Sequence, residues 1–97
     1  MVNIPDKIKI LGYDYTIKMI DLNETEKFGT QDMNTLTIRL NENKAQSQIV
    51  STLLHEIIEA INFHLGLELN HYQINALEAG LYQVLKDNDI DFREGCE

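Results

Sequence analysis

Residues 52–62 read TLLHEIIEAIN, and within them His55, Glu56 and Glu59 stand in the spacing H-E-x-x-E. A histidine and a glutamate four residues apart on a helix lie one turn apart on the same side, so both can address one cation. The residue after the histidine, Glu56, is then placed to act as general base on a cation-bound water, whose pKa the metal lowers to about 7. A catalytic zinc site takes three protein ligands and keeps a position open. Two downstream residues are candidates for the third ligand, Glu78 and His71. Tyr82, one turn after Glu78, could donate a hydrogen bond to a developing oxyanion.

The donor set decides which metal. His55, Glu59 and Glu78 offer one nitrogen and two carboxylates, a harder set than two imidazoles and one carboxylate. It holds Zn²⁺ less tightly and brings Mn²⁺ or Mg²⁺ into range. If His71 reaches the site, a His₂Glu set returns. The plain alternative is a solvated helix face, the usual meaning of a helical His beside two Glu. Phe63 argues against it, because it falls among these polar residues at i+4 from Glu59. An aromatic there implies that something covers that face or that it lines a cleft.

Two helices must position these groups. Asn43 with Gln46 has capping-box spacing, so the first helix is expected from about Lys44 to Leu65, with Gly66 as its stop. Asn70 with Gln73 repeats the spacing and opens a second helix, expected from His71 to about Lys86. On the first helix Val50, Leu53, Leu54, Ile57, Ile58, Ile61 and Leu65 form an apolar stripe that should lie on a sheet. On the second, Ile74, Leu77, Leu81, Val84 and Leu85 form the core stripe. Simple hairpin register about Glu68 sets Glu78 and Tyr82 opposite Glu59 and His55. It leaves His71 roughly 10 Å or more along the axis.

The strands come first in the chain. Residues 7–20, KIKILGYDYTIKMI, alternate in a pattern that predicts a strand pair bent near Leu11-Gly12. NETEK reads as a polar loop. Gln31 to Asn34 read as a turn before a strand carrying Leu36, Ile38 and Leu40 on one face. The order is three or four strands and then two helices, an α+β fold with a small antiparallel sheet on an antiparallel helix pair. Residues 1–88 form one domain and residues 89–97 an acidic tail.

Bulk properties narrow the function. The chain has 97 residues, 43% hydrophobic and 25% charged, which suits one globular domain with a small core. A net charge of −8 repels phosphate backbones and anionic membranes, so neither nucleic acid nor membrane is an expected partner. Cys96 is the single cysteine, so no internal disulfide forms. No signal-peptide core or membrane-length apolar run is present, and a cytoplasmic protein is expected. His64 falls on the apolar stripe and reads as a packed helix-end residue, and Tyr13 and Tyr15 read as sheet core.

The stretch LTIRLNENKAQSQIVSTLLHEIIEAIN, followed by LGLELNHYQINALEAGLYQVLKDN, resembles minimal zincin-like proteins of the ImmA/IrrE and SprT-like group. It is also similar to small proteins encoded by phages and prophages of Gram-positive bacteria. The resemblance covers roughly residues 28–88. It implies a zincin-like minimal core, His55 as ligand and Glu56 as base. It implies that Leu36 to Leu40 form an edge strand on which an extended peptide partner could lie by β-addition. Glu59 departs from the zincin pattern, which has a second histidine there. Two functions follow as expectations. One is a divalent-metal-dependent peptidase, using Zn²⁺ or Mn²⁺, in the host-cell cytoplasm. The other is a non-catalytic zincin-derived protein that binds a host or phage protein.

Overall fold

Two strands join through the tightest possible hairpin. β1 (Lys7–Ile10) and β2 (Tyr13–Ile20) pair antiparallel, with Ile10 opposite Tyr13. Leu11 and Gly12 between them take φ of 51° and 86°. A type I′ loop needs positive φ at both positions, and its twist matches that of the strands. The structure is a computed structural model describing residues 3–21, 29–32, 34–90 and 92–93, with the backbone path alone for 29–32. The NETEK segment, Cys96 and most of the acidic tail lie outside the described residues.

β3 (Gly29–Asp32) and β4 (Thr37–Asn41) form the second hairpin, so Gln31, expected in a turn, belongs to a strand. The turn falls at residues 34–36, where Leu36 takes φ 51°. The sheet order is β1-β2-β4-β3. β2 and β4 are parallel, with Ile17 opposite Ile38. The sheet is therefore mixed where a purely antiparallel one was expected. The chain passes from β2 to the far edge, lays down β3 against β2's direction, and returns through the gap as β4. A strand that returns this way must run with β2.

That order also corrects the expected edge. The segment Leu36 to Leu40 lies in the sheet interior, since β4 is paired on both sides. Its residues explain why: Thr37, Ile38, Leu40 and Asn41 are all buried. A strand buried on both faces belongs in the middle of a sheet. β1 and β3 are the edges.

α1 (Gln46–Leu65) starts two residues later than the Asn43 capping box predicts. The Asn43 N–H instead donates to Asn41 Oδ1 at 3.0 Å, which holds the preceding turn. The Ala45 N–H donates to Gln48 Oε1 at 3.2 Å, one half of a capping box. Gly66 stops the helix at φ 60°, with Leu67 N–H donating to Asn62 O at 3.1 Å and Gly66 N–H to Phe63 O at 3.3 Å. This is the Schellman pattern. α2 (His71–Asp87) opens as expected, with Asn70 and Gln73 exchanging two bonds of 2.9 Å.

α1 lies against β1, β3 and β4, whereas α2, among the described elements, packs on α1 alone. The order of layers is sheet, α1, α2. The main core is Ile10, Tyr15, Ile17, Ile38 and Leu40 of the sheet, with Ile49 and Ala60 of α1. The sheet-facing side of α1 thus carries Ile49 and Ala60 together with Leu53, Ile57 and Ile61 of the apolar stripe read from the sequence. Of the α2 stripe only Ile74 is buried; Leu77, Leu81, Val84 and Leu85 are 40–52% exposed. His64 is packed, accepting or donating at 2.7 Å to the Tyr15 hydroxyl and stacked on Tyr13 with ring centroids 4.1 Å apart. Tyr15 is fully buried, but Tyr13 is half exposed. No helix among the described residues is long and apolar enough to cross a membrane.

Candidate functional site

The connection between the helices sets the site. The Leu69 N–H donates to Asn62 Oδ1 at 2.9 Å, so residues 67–69 double back along the last turn of α1. α2 therefore begins further toward the N-terminus of α1 than simple hairpin register predicts. Glu78 comes level with Ser51 and His55 instead of Glu59. Its Oε1 accepts from His55 Nδ1 at 2.7 Å, and its Oε2 accepts from the Ser51 hydroxyl. The same shift brings His71 near His55, with ring centroids 6.3 Å apart. This corrects the expected separation.

The bond to Glu78 fixes the His55 ring. A carboxylate accepts only, so Nδ1 carries the proton and Nε2 is left with its lone pair when the ring is neutral. Metal-bound histidines are held in the same way by a carboxylate on the opposite nitrogen. Ser51 completes the chain of groups. It lies one turn before His55, a spacing visible in the sequence, but only the position of Glu78 gives it a role.

Beside this chain stands Glu56, which is 7% exposed. It has neither a hydrogen-bond partner nor an ion pair among the described residues. Burial pushes its carboxyl up to about 7; His55 draws it down, and Glu59 and Glu78 raise it further. The helical pattern explains the burial, because Glu56 falls at i+3 from Leu53 and i−4 from Ala60, on the sheet-facing line.

Four of the expected site residues, His55, Glu56, Glu78 and Tyr82, line one cleft of ≈ 560 Å³ between the helices, together with Ser47, Gln48, Ser51, Thr52 and Asn75. Glu59 and His71 lie outside that lining. On the other flank of α2 is an apolar groove of ≈ 570 Å³, lined by Val50, Leu53, Leu54 and Ile57 of α1 and by Tyr82, Leu85 and Lys86 of α2. The two cavities share Ser47 and Tyr82. Val50, Leu53, Leu54 and Ile57 of the α1 stripe line this groove, and of these Leu53 and Ile57 also pack against the sheet core.

The side chains do not fit a three-ligand metal as they stand. Among the described residues no group of three or more His, Cys, Asp or Glu is placed to hold a metal ion. Glu78 has one oxygen on His55 and the other on Ser51, so it orients His55 instead of joining it as a ligand. The expected set of His55, Glu59 and Glu78 is not assembled. Comparison of the chain with protein-family models, curated proteins and solved structures found no match.

Proposed function

We propose that this chain is a zincin-derived protein that works by binding another protein, with the α1–α2 layer as the binding surface. One observation carries this reading. The apolar groove and the exposed Leu77, Leu81, Val84 and Leu85 leave a large part of both helices' apolar surface uncovered. A domain of this size has little apolar surface to spare, and contiguous exposed patches mark interaction sites. The recognition mode that suits two helices with a groove between them is helix-in-groove, read through apolar side chains at i, i+3, i+4 and i+7. The resemblance to phage-encoded proteins points to a host or phage protein met in the cytoplasm. Selection of a random-peptide display library on the immobilised chain tests this. Enriched peptides with helically spaced apolar anchors, which lose binding to Leu54→Asp and Leu85→Asp variants of unchanged melting temperature, are the expected result. Enrichment indifferent to both substitutions would sink it.

A hydrolytic reading is favoured by a different observation: Glu56 is a buried carboxyl with a pKa near 7 and no partner among the described residues, beside an imidazole already oriented by Glu78. A general base is most effective when its pKa lies near the working pH. Zn²⁺ or Mn²⁺ is the cofactor this reading calls for, with His55, Glu59, Glu78 and His71 as the side chains to be recruited. Because they are not assembled as a ligand set, no step is drawn through a metal. Metal content after chelator-free purification, beside peptide hydrolysis by wild type and Glu56→Gln, decides the matter. Stoichiometric metal lost in Glu59→Ala, with hydrolysis lost in Glu56→Gln, would replace the binding reading.

A further inference from the structure

We infer that the polar cleft receives a cationic side chain, the ammonium or guanidinium of a lysine or arginine on the segment whose apolar residues fill the adjoining groove. The inference rests on the binding reading above and adds the chemistry of the partner's anchor.

Glu56 is the starting point. It lines the cleft, is more than nine-tenths buried, and has no donor among the described residues. A buried carboxylate without a donor is costly, and it recovers that cost only when something supplies an N–H or O–H. Glu78 stands across the same cleft, with one described donor on each oxygen. A carboxylate has about four acceptor sites, so each oxygen can take a second donor. Two carboxylates facing one cavity, one of them unpartnered, suit a group with several N–H donors and a positive charge. Guanidinium and ammonium are the biological groups of that kind.

The surroundings agree with this choice. The Ser51 and Thr52 hydroxyls and the Asn75 amide line the cleft as neutral acceptors for the remaining N–H groups. The net charge of −8 favours a cation over an anion at long range. It also disfavours a second copy of this chain as occupant, since two such surfaces repel. Tyr82 stands where cleft and groove meet and already has Lys86 Nζ 5.9 Å from its ring centroid, so its face accepts a cation. Ser47 and Tyr82 belong to both cavities, so one segment with a basic residue next to apolar ones reaches both.

The probes are n-butylguanidinium and its uncharged counterpart 1-pentanol, titrated into the ¹⁵N-labelled full chain at pH 8 and followed by amide chemical shifts. The expected result is saturable shifts of Ser51–Glu56 and Asn75–Tyr82 with the guanidinium, at an affinity at least about tenfold above the alcohol's. That preference should vanish in Glu56→Gln and fall in Glu78→Gln, both checked by circular dichroism and amide shift dispersion for an unchanged fold. If the two probes bind the groove equally well and Glu56→Gln changes nothing, the cation inference fails and the binding reading survives. If neither probe moves any resonance of the cleft or groove, both fail. If Zn²⁺ alone perturbs the cleft while the guanidinium does not, the inference is overturned in favour of a metal site.

Discussion

Glu56 decides more about this protein than any other residue. Its carboxyl rises from an ordinary 4.5 to about 7, chiefly through burial. A proton is therefore held more tightly in the folded chain than in the unfolded one. The group costs folding nothing below pH 4.5; the cost builds as pH climbs from 4.5 through 7 and is constant above. The deficit is on the order of 3 kcal/mol. Glu56→Gln should accordingly raise the melting temperature at pH 8 by roughly 15 °C and leave it nearly unchanged at pH 4.5, as calorimetry at the two pH values would read. A stabilising loss of a carboxylate is the mark of a residue kept for what it meets, not for the fold. Tyr15 is the opposite case. Its hydroxyl is fully buried against His64 at 2.7 Å. Tyr15→Phe should cost about 1 kcal/mol, a drop of roughly 5 °C in melting temperature for a domain of this length.

At the scale of elements, the sequence was legible wherever a signal is local. The β1–β2 bend, the Gly66 stop and the Asn70 cap each rest on one or two residues and their neighbours. Local signals also show where the chain is not optimal. Leu11 occupies the first positive-φ position of the hairpin at φ 51°, where Asn is preferred. Leu11→Asn should stabilise the chain by up to about 1 kcal/mol, measured as a shift in the urea midpoint at unchanged slope. What was not legible is rotation and register. The apolar residues of α1 span so wide an arc that periodicity cannot say which part meets the sheet, so Glu56 reads as outward-facing until β3 and β4 are in place. The α2 stripe reads as core because it is apolar, yet no layer among the described elements covers it. The pairing of Glu78 with His55 depends on the Asn62–Leu69 bond, which a hairpin rule does not contain. So His55, Glu56, Glu78 and Tyr82, singled out by type and spacing, line one cleft, while the contacts of Glu78 with His55 and Ser51 came only from geometry.

For the whole molecule, the parallel β2–β4 pair and the doubled hairpin make the sheet and α1 one interlocked body, with Tyr15 and His64 tying the end of α1 to β2. α2 is outside that body. It has Ile74 as its single buried apolar residue and, among the described elements, touches only α1. Opening of α2 alone should need far less free energy than global unfolding, so the protein should behave as two cooperative units of unequal strength. Amide hydrogen exchange would show it: α2 protons exchanging well before those of β2 and β4, through an opening that leaves the sheet signals intact. Equal protection across both would contradict the layered arrangement. A segment seated between the helices would close that opening. On the binding reading proposed above, a partner should therefore be detectable before it is identified, as slowed exchange in α2.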